Sequence, residues 1–518
     1  MTRMGIFPRG LWQHRRALLC AMVNGFGGAS LGYDTGAAGG IITLPSFISD
    51  FFGSAGNTRA RANLSSDIVA VLFAGAFFGS LGAAPIEAWI GKRYGLMVFA
   101  FVFIVGSLVT IIQNDALGCI YAGRIISGLG IGAFSNLCNA YVAETAPKHL
   151  RGAFGSFFQF FLVIGGSCAY FASYGSKLHI SNTSSAQWRL PFAMQALPGF
   201  ILLVGLFFIK ESPRWLARKG RTEEALASLA YLRGTDEQDE STLAEFAEIQ
   251  TQLVEEAETA SRFRLKQVLE RGTRERFFVA YSASIWLIWS GHNSILYYAP
   301  SIFATIGFAS NASLMASGLF GIVKMACMPI FMLFFVDRFS RRTLLRAGNL
   351  LCCAVLAAFA GVTSSTLVPD SDRSRAAAAL LYLFFVFYSF SIGPLGWIVI
   401  AEAFDPRTRQ LGIASAMALT YLCNFAVARS TPLALVDIGY KWWIILAVFQ
   451  LLAFATYSVM PETGGQSLEQ LDVVFGKVSA AERQRNLNAG DILSDKGAES
   501  TEQDEGKERS TRTAVRMV

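Results

Sequence analysis

The chain has 518 residues, 53% of them hydrophobic and only 16% charged, and its mean hydropathy is +0.42. Soluble domains carry about 25% charged residues, so this balance excludes one and indicates a polytopic membrane protein. The net charge of +7 does not imply a nucleic-acid partner, because the Lys and Arg residues crowd onto one side of the apolar segments.

Taken in order, residues 1–16 carry Arg3, Arg9, Arg15 and Arg16 and read as a cytoplasmic tail ahead of a retained first helix. Apolar spans follow near 17–44, 67–89, 95–113, 117–143, 153–174 and 191–209, forming a first half over 17–209. A polar, helix-favouring linker over 210–276 separates them from spans near 277–304, 313–336, 343–366, 377–402, 410–434 and 440–460, a second half over 277–460. The expected fold is therefore an all-α membrane protein of about twelve transmembrane helices in two six-helix halves, with a cytoplasmic helical segment between them. The segment 461–518 is a cytoplasmic tail, polar and expected to be disordered from about 477. Lys92, Arg93, Lys148, Arg151, Arg338, Arg341, Arg342, Arg407 and Arg409 all fall on the side of the N-terminus, which puts both termini inside. The three Asn-x-Ser/Thr sequons, at Asn63, Asn182 and Asn311, fall in loops assigned to the outside and are candidate glycosylation sites of a plasma-membrane protein.

Within the first span Asp34 stands in Gly32-Tyr-Asp-Thr-Gly36. A carboxylate at the centre of a membrane helix costs roughly 2.5–3.5 kcal/mol on insertion scales, so it must face a cavity or a basic partner, and its default role is functional. The eight cysteines lie in or beside apolar spans and imply no disulfide framework. The four histidines show no metal-ligand spacing, so neither a metal nor another cofactor is expected, and no motif assembles a nucleophile, base and oxyanion set, so the chain is not an enzyme.

The halves echo each other. Gly91-Lys92-Arg93 answers to Ser340-Arg341-Arg342, Glu144 with Arg151 answers to Glu402 with Arg409, and Glu211-Ser-Pro-Arg214 answers to Glu462-Thr-Gly-Gly465. Such acid-and-arginine sets at helix ends suit a latch that breaks and re-forms as two halves rock about a midplane site.

These residues, with Gly123-Arg124, the glycines at 128, 130 and 132, Tyr297-Tyr-Ala-Pro300, Asp337-Arg338, Gly393-Pro394, Trp397 and Pro461-Glu-Thr463, resemble the sugar porter family of the major facilitator superfamily, in its fungal monosaccharide-transporter form, from about Ala17 to Phe475. The resemblance implies alternating access for a monosaccharide or related polyol, driven by protons through Asp34 and Arg124. It implies substrate contacts from Gln159, Asn293, Tyr297, Trp397 and Asn424, and gating charges at Arg93, Glu144, Arg151, Glu211, Arg214, Asp337, Arg341, Glu402, Arg409 and Glu462. Its partners would be the small-molecule substrate, protons and the bilayer, with one chain as the working unit.

The sequence departs from the family pattern where the sugar would sit: Leu287-Ile288 replace paired Gln residues, Gly166 replaces an amide, and Met325 or Lys324 stands at an Asn position. Lys324 and Arg429 are unusual intramembrane cations, and each has two readings. Either they contact an anionic substrate such as galacturonate or quinate, or Lys324 pairs with a structural carboxylate and Arg429 snorkels to the outer interface. A non-coupled uniporter and a nutrient sensor that transports little are the other readings.

Overall fold

The computed structural model describes residues 14–52, 58–112, 117–147, 150–261, 272–335, 338–364, 371–404 and 408–462, and in them there are helices and no strands. The first half contains α1 (Arg15–Ile41), α2 (Pro45–Phe52), α3 (Thr58–Ile90), α4 (Lys92–Thr110), α5 (Gly118–Thr145), α6 (Arg151–His179), α7 (Ala186–Met194) and α8 (Ala196–Phe207). The linker holds α9 (Pro213–Arg218), α10 (Thr222–Arg233) and α11 (Glu240–Ser261). The second half contains α12 (Thr273–Trp289), α13 (His292–Thr305), α14 (Ser310–Phe334), α15 (Arg341–Val362), α16 (Asp372–Ser389), α17 (Ile392–Glu402), α18 (Arg409–Asp437) and α19 (Lys441–Val459).

Among the described residues, ten helices or end-to-end pairs are long and apolar enough to cross a membrane. Two more crossings complete twelve: α1, whose apolar run is diluted by Asn24, Asp34 and its glycines, and the pair α12–α13. The sixth crossing is α7–α8, joined by Gln195, whose backbone stays helical. The seventh is broken at Gly291, which takes φ +91°, a conformation only glycine adopts without strain. The tenth is broken at Ser391 between α16 and α17. Both halves use the same packing: α1 on α6 and α3 on α5 in the first correspond to α12 on α18 and α14 on α16 in the second.

Two boundaries differ from the hydropathy reading. The second span begins at Thr58 rather than near 67, and a short helix, α2, follows the first span. Hydropathy registers the lipid-facing length of a helix, not the polar turns that continue past the hydrocarbon. In α3 those extra turns carry Arg59, Arg61 and Asn63.

Glycines set how closely helices approach. A Cβ at Gly28 or Gly32 would lie 2.1 or 1.9 Å from the carbonyl oxygens of Phe158 or Leu162 on α6, so α1 and α6 pack backbone to backbone. Gly128 and Gly132 do the same against α3, while Gly130, on the opposite face, packs on α4. The linker docks beneath the first half, where Arg16 donates to the Tyr231 carbonyl (2.9 Å) and Arg233 to the Thr145 carbonyl (2.9 Å). We call that end of the bundle the linker side.

Gly32→Val therefore drives a side chain into the backbone of α6 and should destabilise the fold by roughly 1–3 kcal/mol. Thermal unfolding of detergent-purified protein should show it as a lowered midpoint, whereas Gly82→Ala, where a Cβ meets nothing within 4 Å, should leave the midpoint unchanged.

Candidate functional site

Gly32 and Gly36, one turn apart, face α6, so Asp34, half a turn round, faces α5 and the α7–α8 junction. There it forms an ion pair with Arg124, and both side chains are fully buried. Arg124 Nε donates to the Ile68 carbonyl at 3.1 Å, and Gln195 Nε2 donates to Asp34 Oδ2 at 2.7 Å. Each carboxylate oxygen thus has its own donor, one charged and one neutral. Arg124 Nη2 and Gln195 Oε1 have no hydrogen-bond partner among the described residues, which leaves a donor and an acceptor open beside the pair. Gln195 was not picked out from the sequence. An amide costs far less to bury than a charge and stands out less, so the one signal was a lone Gln inside an apolar span.

A second polar group lies in the other half. Lys324 Nζ is 3.0 Å from His292 Nε2, His292 Nδ1 is 2.7 Å from Asn293 Oδ1, and Asn293 Nδ2 donates to Asn424 Oδ1 at 2.7 Å. Tyr297 donates its hydroxyl to the same Asn424 oxygen at 2.7 Å, and Asn424 Nδ2 is held by the Thr420 carbonyl at 3.1 Å. Three residues expected from the sequence, Asn293, Tyr297 and Asn424, are therefore brought together with Lys324. Among the described residues no carboxylate pairs with Lys324, so the structural-pair reading of this lysine has no support in the geometry. Gln159 and Trp397 are half-buried on α6 and α17 and make no hydrogen bond to this group among the described residues.

Lys324 also lines a cavity, together with Gly32, Thr35 and Gly36 of α1, Gly166, Ser167 and Tyr170 of α6, and Ser317 and Gly321 of α14. It holds about 20 Å³, enough for one water molecule and too little for a six-membered ring. Its walls close on the side away from the linker. A Cβ at Gly39 would lie 2.1 Å from the Tyr297 carbonyl oxygen, Tyr170 donates to the Leu296 carbonyl, and Lys177 bonds Ser310. One link lies deeper, between the hydroxyls of Ser135 and Tyr421.

Arg429 belongs to this closure. Its guanidinium contacts Asp67 Oδ1 at 3.1 Å, the Asn63 carbonyl at 3.2 Å, Asn63 Oδ1 at 3.3 Å and the Ser66 hydroxyl, all on α3. Arg59 and Asp437 add an exposed pair at 3.3 Å between the same helices. Arg429 ties the halves together and is not among the residues lining the cavity. The structure also corrects the placement of Asn63, which lies within helix α3, not in a loop, with its amide engaged by Arg429; Asn182 and Asn311 are exposed.

On the linker side the recurring charges pack within each half. Glu211 accepts the backbone N–H groups of Lys92 (3.1 Å), Arg93 (3.0 Å) and Ser212 (2.9 Å), capping the N-terminus of α4. Burial is the largest influence on its carboxyl and pushes its pKa above the ordinary glutamate value, against the pull of those donors. Glu462 caps α15 likewise through the N–H groups of Arg341 (3.0 Å) and Arg342 (3.2 Å). Lys92 pairs with Glu144 at 3.0 Å and with Glu87, and Arg341 pairs with Glu402 at 3.3 Å. Arg93 donates from Nε to the Leu206 carbonyl at 2.8 Å. Arg151 is exposed, and Arg214 lies in α9. Asp337, the side chain of Arg409 and the chain beyond 462 lie outside the described residues. The sequence reads Lys92 as a topology-setting charge; its two carboxylates, Glu87 across Gly91 on α3 and Glu144 on α5, converge on it only in the folded bundle.

A family model described as "Sugar (and other) transporter" matches residues 20–475. The chain is 32% identical over 515 residues to the quinate permease of Neurospora terricola, covering 96% of each chain, and 34% identical over 496 residues to that of Neurospora africana, covering 93% of this chain and 91% of the relative. Its fold is similar to that of the proton:xylose symporter XylE bound to 6-bromo-6-deoxy-D-glucose, with a TM-score of 0.74 at 24% identity over 89% of this chain and 99% of that one. It is also similar to an inward-open conformation of XylE from E. coli, with a TM-score of 0.72 at 25% identity over 88% and 98%. The chain thus belongs to the sugar (and other) transporter family, as a multi-pass transporter of the major facilitator superfamily and not an enzyme.

Proposed function

We propose that this chain is a proton symporter that carries a polyhydroxylated carboxylate of the quinate type across the plasma membrane by alternating access. The observation that carries the reading is Lys324, a buried cation at the wall of the central cavity whose polar partner is a histidine and not an acid. A substrate carboxylate supplies the missing counter-charge, and a buried ammonium–carboxylate contact is a strong, charge-assisted bond. The relatives named quinate permease, at 32% and 34% identity, support the same substrate class.

Proton coupling follows from Asp34 and Arg124. Burial and a close guanidinium act in opposite senses on the proton affinity of a carboxyl, so a movement of α1 against α5 or α8 shifts that balance and couples proton binding to conformation. Charge gives a second reason. Moving an anion inward against a negative-inside potential costs about 2.3 kcal/mol per 100 mV, and one co-transported proton cancels that cost. The Lys and Arg residues crowded on the linker side support a cytoplasmic linker and cytoplasmic termini, and on that orientation the closed side of this conformation faces outward. That one chain holds the ion pair, the cavity and Lys324 supports the monomer as the transport unit. A neutral monosaccharide is the second reading, favoured by the amides Asn293 and Asn424, a residue type that suits hydroxyl groups.

Radiolabelled uptake in cells lacking their own carriers separates these readings. Quinate, and not xylose or glucose, should accumulate at acid pH and be lost on adding an uncoupler. Asp34→Asn should abolish accumulation while leaving counterflow exchange, whereas a uniporter would be indifferent to both. Lys324→Gln should raise the KM for quinate at least tenfold; entry of neutral sugars with no effect of Lys324→Gln would overturn the carboxylate reading.

The tie between α3 and α18 sets the other expectation. Arg429→Met removes a half-exposed ion pair worth up to about 1 kcal/mol, which should shift the equilibrium severalfold toward an outward-open state. Electron–electron distance measurements between spin labels at Asn182→Cys and Asn311→Cys, in a background without other reactive cysteines, should show a longer-distance population growing in the variant.

A further inference from the structure

Lysine has four rotatable side-chain bonds, and its rotamer entropy is among the largest of any residue. An ammonium that is to read a substrate inside a membrane must be aimed, and among the described residues the hydrogen-bond partner of Lys324 is His292. His292 is the first residue of α13, directly after the Gly291 break, and its ring lies flat on Tyr388 with centroids 4.0 Å apart at 8°, with Phe385 edge-on at 5.3 Å. Asn293 Nδ2 donates to Asn424, so Asn293 Oδ1 is the acceptor facing the ring, and His292 carries its proton on Nδ1. Nε2 then offers its lone pair to Lys324 Nζ at 3.0 Å. Every donor from Lys324 to Asn424 points the same way along this chain, and its far end is anchored by Tyr297 and by the Thr420 carbonyl. The ammonium spends one N–H on His292 and keeps its other two for the cavity. The same helix, α13, carries the Leu296 and Tyr297 carbonyls that close against α6 and α1.

We infer that His292 is the positioning residue for the substrate's carboxylate: it holds Lys324 at the cavity wall, and the preference for an acid over its neutral counterpart depends on it. This rests on the carboxylate reading of Lys324 given above. Gln at 292 can still accept from the ammonium, whereas Phe can keep the stack on Tyr388 but accepts nothing.

The test is transport by the full-length protein in proteoliposomes, with quinate compared with methyl quinate, its neutral ester. His292→Phe should raise the KM for quinate tenfold or more, with a smaller change in maximal rate and little change for the ester, so the acid-to-ester preference falls about tenfold. His292→Gln should restore most of that preference. Because His292 acts through the lysine, Lys324→Gln combined with His292→Phe should be no more impaired in preference than Lys324→Gln alone. Tyr388→Leu, which removes the ring that holds His292, should lower the preference, and Tyr388→Phe should restore it; this pair decides the matter if His292→Phe does not assemble. A preference lost in Lys324→Gln but intact in His292→Phe, or in Tyr388→Leu where His292→Phe does not assemble, overturns the role of His292 and leaves the carboxylate reading standing. A preference intact in Lys324→Gln overturns both.

Discussion

The burial of Asp34 against Arg124 is the constraint on which the rest of the site depends. Two full charges removed from water in the middle of a membrane are tolerated only in contact with each other and with further hydrogen bonds. Here those come from Gln195 and the Ile68 carbonyl. This requirement fixes the rotation of α1. With Asp34 turned to α5, the small residues Gly32 and Gly36 must face α6, and the glycines let the two backbones meet. The same turn of helix exposes Thr35 to the cavity shared with Lys324. One segment of five residues therefore sets a charge pair, a helix contact and part of the cavity wall.

The two halves divide the labour. The first holds the buried Asp34–Arg124 ion pair, and the second holds the polar chain that ends at Lys324. The cavity lies where the two meet, and the contacts that close it involve α13, the helix freed at its start by the Gly291 break. A helix that begins at a hinge can tilt without dragging α12 with it, and α13 carries both His292 and the closing carbonyls of Leu296 and Tyr297. The polar chain to Lys324 and the closing contacts thus meet on one short helix. On the linker side, by contrast, Glu211 and Glu462 each cap a helix within their own half, so those charges stiffen the two bodies that move.

Composition alone determined that this is a membrane protein, because burying so much apolar surface without lipid has no solution. The period and number of apolar runs determined the twelve crossings, the six-plus-six repeat and the polar linker between the halves. Asp34 was legible because a charge inside an apolar run is expensive and so conspicuous, and Arg124 as its partner through the resemblance. Asn293, Tyr297 and Asn424 were legible through the resemblance. The tertiary structure alone decided the partners. Arg429 could have met a substrate or the membrane interface; the fold brought Asp67 to it, together with Asn63 from the polar turns of α3 that hydropathy had left out. Lys324 could have paired with an acid, and the fold set it beside His292. Gln195 gave no charge signal, and its place against Asp34 depends on how α8 crosses α1. Sequence reports the cost of a residue's environment one residue at a time, whereas which partner meets that cost is a matter of distance between segments far apart in the chain, and only packing sets that distance.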